Sequence, residues 1–151
     1  MRRSALFLLL AALLAGASVP AAPAFAVDTI TSTDAPDLTS VRAKLKAKDY
    51  KGALAELTRM LETNQHPDVY NLMGFSLRKT GDYKQAYTFY RKALDFNPEH
   101  KGALEYLGEL YVETGQVEKA RENVALLKKL CPGGCEELED LEHAVAAAKL
   151  N

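Results

Sequence analysis

Two groups of residues in this sequence have the types and spacing to do chemistry. The first is Cys131-Pro132-Gly133-Gly134-Cys135, which holds both cysteines of the chain. Two glycines between the thiols permit the tight reversal that a disulfide needs. Closing so short a loop stabilises by only about 2 kcal/mol in the chain-entropy picture, so its job would be to staple the segment that follows at a fixed angle. A thiol-redox site is the sharper alternative. Redox pairs, however, favour two intervening residues at the start of a helix; here there are three, with no strand–helix alternation around them. Metal binding has less support still, because two cysteines stand with no histidine at ligand spacing.

The second group is Glu105, Glu109 and Glu113, spaced i, i+4, i+8. On a helix they stand in one row, and like charges so placed destabilise by about 0.2–0.5 kcal/mol per pair. Such a row is either a solvated face screened by water or a surface kept for a basic partner. No other set reads as catalytic. His66, His100 and His143 are scattered over a helix start, a turn and an outer face, and are expected at the surface. A Gly-rich phosphate loop after a strand and a Ser/His/Asp set are both missing from the sequence. The chain is expected not to be an enzyme and to need no cofactor or metal.

The positions of these groups depend on what surrounds them. Met1-Arg2-Arg3 followed by an uncharged stretch from Ala5 to Val19, and then Ala24-Phe25-Ala26, has the form of a secretory signal peptide over residues 1–26, cleaved after Ala26. A retained anchor is the other reading, but the apolar run is short of the ~20 residues a spanning helix needs. No cysteine follows it to carry a lipid. The expected location is therefore outside the cytoplasm, periplasmic or secreted, where disulfides persist. Without Arg2 and Arg3, the 19 basic residues fall to 17 against 20 acidic ones, a net charge of −3. That balance argues against nucleic acid or an anionic membrane as the main partner, since both need a concentrated basic face. Residues 27–36, rich in Thr, Asp and Ser, read as a disordered leader.

The rest of the chain repeats. Gly74 and Gly108, Gly81 and Gly115, Ala86 and Ala120, and Pro98 and Pro132 are each separated by the same interval of 34 residues, the signature of stacked structural units. Within each unit two helix-period stretches flank a turn. Pro67 suits a first helical position. Tyr70, Met73, Gly74 and Leu77 then share a face, and Gly81 can end the helix in a left-handed conformation. Asp82 caps the next helix with Gln85 three residues on; Ala86, Tyr90 and Ala93 point inward, and Asn97-Pro98 stops it. The matching set one period later is Leu104, Leu107, Gly108 and Tyr111, then Ala120, Val124 and Leu127. Gly74 with Ala86, and Gly108 with Ala120, are expected where the helices of a pair cross. Residues 37–66 hold a weaker version: Leu38, Val41 and Leu45, then Asp49 as N-cap of a helix from Tyr50 to Leu61, with a turn at Ala47-Lys48-Asp49 that lacks the glycine. Residues 135–151 form a last helix, with Leu138, Leu141, Val145 and Ala148 on one face and acidic residues over much of the remainder. That distribution suits a solvating end cap.

These units resemble tetratricopeptide repeats (TPRs), whose pattern is W-x2-L-G-x2-Y, later A-x3-F, later P. Residues 67–100 carry it as Tyr70, Met73, Gly74, Leu77, Ala86, Tyr90 and Pro98. Residues 101–134 carry it as Leu104, Leu107, Gly108, Tyr111, Ala120, Val124 and Pro132. Tyr70 or Leu104 for Trp and Val124 for Phe keep the apolar character, and the first unit matches only through Tyr50, Ala53 and Leu57. The cysteine-flanked ending is similar to small exported bacterial repeat proteins. The resemblance implies an all-α fold: a TPR-like right-handed superhelix of seven helices, in helix–turn–helix pairs with a capping helix.

It also implies that the first helix of each unit faces a concave groove. Carried over by position, that groove takes Arg42 and Lys46 from the first unit. It takes Asn71, Phe75, Arg78 and Lys79 from the second, and Glu105, Tyr106, Glu109 and Glu113 from the third. Phe75 lies off the Tyr70–Met73–Leu77 face, so it is either an exposed aromatic anchor or packs against Leu45 or Leu72. The Lys/Asn clamp some relatives use on a peptide carboxylate is not expected, because Leu38, Arg42, Phe75, Glu105 and Glu109 fall at or near those places. The expected function is a non-enzymatic protein–protein interaction module of the cell envelope that holds a peptide or helix, with a basic segment of the partner against the acidic row. The alternatives are a thiol–disulfide factor using Cys131 and Cys135, or a scaffold that self-associates through an exposed edge of the first unit.

Overall fold

A computed structural model describes residues 32–148. The signal-peptide reading over 1–26, the cleavage point and the first part of the leader lie outside the described residues. Seven helices follow in order: α1 (Thr39–Lys46), α2 (Tyr50–Leu61), α3 (Pro67–Lys79), α4 (Tyr83–Phe96), α5 (Lys101–Glu113), α6 (Val117–Leu130) and α7 (Glu136–Ala148). α1 packs on α2, α3 on α4 and α5 on α6; α2 meets α3 and α4 meets α5 between pairs, while α7 lies against both α5 and α6. None of these helices is long and apolar enough to cross a membrane.

Local chemistry sets the helix ends. The Asp49 carboxylate accepts from Gly52 N–H at 2.9 Å and that of Asp82 from Gln85 N–H at 3.1 Å, satisfying donors that the first turn leaves open. Gln85 does not reach back to the Asp82 backbone as a capping box would; its Nε2 donates to the Asp82 carboxylate at 2.6 Å. Gly81 and Gly115 end their helices with φ of +88° and +76°, and the first unit puts Lys48 in the same left-handed region at +59°.

The apolar faces meet in two main bodies. Leu38, Val41, Ala53, Leu57, Val69, Leu72 and Met73 join α1, α2 and α3. Leu77, Tyr90, Leu104, Leu107, Leu127, Leu138 and Leu141 join α3 to α7, and the half-buried Leu54 and Phe89 touch both bodies. Gly74 lets the Tyr90 ring lie against the α3 backbone, where a Cβ would come within 2.6 Å of it. Gly108 does the same for α7. The atoms nearest it are the Leu141 methyls on α7, 2.5 Å from where a Cβ would sit. The close approach there seats the terminal helix.

The described end of the leader is not free. Ser32 pairs with Asn64 in a parallel bridge: its N–H donates to Thr63 O at 2.9 Å, and its carbonyl accepts from Gln65 N–H at 2.8 Å. Asn64 Nδ2 donates to Asp34 O at 2.9 Å. Low hydrophobicity removes the drive to form a core, but it leaves backbone groups able to satisfy the open loop between α2 and α3.

Candidate binding groove

The residues mapped to the groove come from α1, α3 and α5, and the fold gathers them on one side of the molecule in three functionally different groups. One group is an internal ion network. Arg78 is buried, and its guanidinium reaches across from α3 to α5, donating Nη1–H to Glu113 at 2.6 Å and Nη2–H to Glu109. Its Cζ also lies 5.7 Å from the ring centres of Phe75 and Tyr106. Two members of the acidic row thus already have a basic partner inside the chain. The like-charge cost computed for a lone helix is offset by a guanidinium one unit away. Arg78, Glu109 and Glu113 form a bridge between α3 and α5 and not a free charged stripe.

A second group lines an open, largely apolar furrow of about 340 Å³, formed by Arg42, Leu45, Lys46, Leu72, Phe75 and Tyr106. Phe75 is half-buried. Its ring sits 4.9 Å from that of Tyr106 and 6.3 Å from that of Tyr50, and Lys79 Nζ lies 5.3 Å above it. Phe75 is therefore both packed and presented, fixed by aromatic neighbours with part of its surface toward the furrow.

The third group forms a more polar cavity of about 320 Å³. α3 contributes Asp68, Asn71 and Leu72, and α5 contributes Gly102, Glu105 and Tyr106 behind its N-cap His100. Arg42 comes from α1, and Glu136, Glu137 and Asp140 come from α7. The α7 acids were read from the sequence as a solvating surface, yet three of them border this cavity, because Leu138 and Leu141 dock on α5 and turn their neighbours toward it. His100 is not a surface histidine: its side chain is 12% exposed. Its Nδ1 accepts from Ala103 N–H at 3.1 Å. That leaves Nε2 to donate to Asp68 Oδ1, 2.8 Å away. His66 is likewise an N-cap, its Nδ1 accepting from Asp68 N–H at 3.2 Å.

Glu105 and Asn71 are both buried, at 6% exposure each. Asn71 Oδ1 has no hydrogen-bond partner among the described residues. Burial, reinforced by Glu109, Asp140 and Glu137 against the weaker pull of Arg78, pushes the Glu105 carboxyl up to about 8. The neighbouring Tyr106 hydroxyl is pushed up to about 12 by burial and by Glu105 and Glu109. The remaining member of the row thus sits where its protonated form is favoured. Sequence spacing could not separate it from Glu109 and Glu113, since the difference is made by α7.

Cys131 and Cys135 are bonded to each other across the turn between α6 and α7, with Cα atoms 5.9 Å apart. Among the described residues no set of three or more His, Cys, Asp and Glu side chains is arranged to hold a metal ion.

Comparison with known proteins agrees with this architecture. Residues 77–130 match the family model of the tetratricopeptide repeat. The BBSome complex member BBS4 of Bos taurus is 34% identical over 77 residues, which is 51% of this chain and 15% of that protein. The chain therefore spans only a small part of that relative. The first TPR of Spaghetti (RPAP3), bound to the HSP90 peptide SRMEEVD, superposes with a TM-score of 0.63 at 15% identity, covering 74% of this chain and 89% of that one. The first TPR domain of human RPAP3 gives 0.62 at 16%, covering 74% and 91%. At these identities the likeness is one of fold: all-α and TPR-like.

Proposed function

We propose that this chain is a non-enzymatic interaction module that holds a peptide or helix of a protein partner along α1, α3 and α5, with a basic segment of the partner at the α7 end. The observation that carries this reading is the pairing of the two hollows. An apolar furrow with a fixed aromatic, Phe75, adjoins a cavity bordered by Asp68, Glu105, Glu136, Glu137 and Asp140 against the single guanidinium of Arg42. Fixed aromatics are the usual anchors of protein interfaces, and a patch of one sign selects partners of the other. The RPAP3 domain takes the peptide SRMEEVD. In this chain the acidic character of the hollow disfavours a ligand of that kind, so SRMEEVD should not bind.

Co-purification from envelope extract tests the reading with three proteins: wild type, Phe75→Ala, and Glu137→Lys with Asp140→Lys. Partners recovered by wild type should be lost or strongly depleted with both variants while circular dichroism stays helical. Undiminished recovery with both variants overturns it. The module is further proposed to act outside the cytoplasm after removal of residues 1–26. N-terminal sequencing of the mature protein should then begin at Val27; a protein retaining Met1 in the cytoplasmic fraction refutes export.

A further inference from the structure

The cavity between α3, α5 and α7 has features that a general peptide groove does not need. Its floor carries two polar side chains, Asn71 and Glu105, each at 6% exposure. The Asn71 amide lines the cavity, and its Oδ1 is unpartnered among the described residues. A buried acceptor without a donor is destabilising, and buried polar groups in native proteins are nearly always satisfied. A half-turn of the amide exchanges its oxygen and nitrogen, and would bring the unpartnered Oδ1 to the place beside Gly102 where Nδ2 now stands. Gly102 opposite keeps the space open, since a Cβ there would stand 3.1 Å from Asn71 Nδ2.

We propose that this cavity is a socket for one primary ammonium group, the side-chain terminus of a lysine in the bound partner, accepted by Glu105 and Asn71 with Asp140 and Glu137 at the rim. The proposal rests on the groove reading above and specifies which partner residue the α7 end selects. The volume of about 320 Å³ sits at the small end of ligand pockets, room for a side-chain end and not for a folded segment. A compact ammonium with three donors suits convergent acceptors better than a planar guanidinium, which needs a bidentate edge. The other charged groups around it are committed elsewhere or at the edge. Asp68 is held by His100, Arg78 is held by Glu109 and Glu113, and Arg42, Glu136 and the neutral Tyr106 border the opening. Glu105 then lacks only a countercharge. An arriving ammonium supplies it, and the carboxyl proton leaves to solvent.

Proton–nitrogen spectra of the labelled protein test this with the capped tripeptide acetyl-Gly-Lys-Gly-amide as probe. The Asn71 side-chain amide and the Gly102 backbone amide should shift saturably. The response should vanish when the probe is Nε-acetylated and weaken about tenfold in Glu105→Gln, as expected for losing one charged hydrogen bond. Glu105→Gln replaces a neutral carboxyl by a neutral amide of the same shape, so it should fold; Asp140→Asn, on the surface of α7, provides a second variant with a smaller loss. The socket is overturned if the lysine probe leaves both signals unmoved, if the acetylated probe moves them equally, or if Glu105→Gln binds as wild type. It is also overturned if calcium ion moves these signals where lysine does not. Tighter binding of cadaverine than of the tripeptide would assign the socket to a free amine and overturn the assignment to a partner. Failure of the probe with partner recovery still sensitive to Phe75 removes the socket and leaves the groove; loss of that sensitivity removes the groove itself.

Discussion

Glu105 shows how far a residue's role depends on what lies across from it. Its carboxyl titrates near 8 in the folded chain against an ordinary 4.5. Between those values the folded state holds a proton that the unfolded state has lost, so this group makes stability fall as pH rises from about 4.5 to about 8. Denaturant midpoints measured across that range should decline less steeply for Glu105→Gln than for wild type, and identical slopes would contradict the burial assigned here. Lys48 is a second case. It occupies at φ +59° the corner that Gly81 and Gly115 take in the later units. A side chain in that conformation costs about 1 kcal/mol, so Lys48→Gly should stabilise by up to about that amount, read by urea unfolding. The caps at Asp49 and Asp82 were legible from residue type alone, because capping is a local matter of a short acceptor before a helix. His100 was not, since its partner Asp68 is 32 residues away.

Between elements, the helices and their order are legible in the apolar period and the repeat interval, but the contacts that place α7 and join α3 to α5 are not. The 34-residue period marks Gly74 and Gly108 as special without saying which helix each admits. Gly74 admits the Tyr90 ring from its own pair, and Gly108 admits Leu141 from α7. Gly108→Ala should consequently loosen α7 in particular, costing about 1–3 kcal/mol, with hydrogen exchange of α7 amides rising ahead of those in α3 and α4. Uniform protection would place the cost elsewhere. The acidic row was read on one helix in isolation, where it repels itself. The pairing of Arg78 with Glu109 and Glu113 is legible only once α3 and α5 are known to lie side by side. Arg78→Met should destabilise by about 2 kcal/mol, less than a fully buried pair would, because both carboxylates keep some contact with water at 25% and 36% side-chain exposure. Adding Glu109→Gln and Glu113→Gln should recover part of that loss; no recovery would mean that Arg78 matters for its packing against Phe75 and Tyr106 and not for its charge.

At the scale of the whole molecule, the disulfide and α7 act together. The bond closes a loop too short to restrain much of the unfolded chain, so Cys131→Ser with Cys135→Ser should lower stability by only about 2 kcal/mol. The larger effect falls on orientation: the bond joins the end of α6 to the start of α7, whose acids border the cavity. Reduction should thus weaken partner capture more than it weakens the fold, a comparison made by measuring both on one reduced sample. Helical content and stacking were evident from apolar period and repeat interval, quantities that any helical array must satisfy. The cavity was hidden because it needs four helices distant in sequence, the last of which carries no repeat signature.

That terminal helix has one more effect, on how copies could grow into larger assemblies. Leu138, Leu141 and Val145 bury its apolar side against α5 and α6, and Glu139 and His143 are exposed. Among the described residues, the side of α7 left uncovered is polar, which disfavours head-to-tail stacking of another copy's leading unit on it.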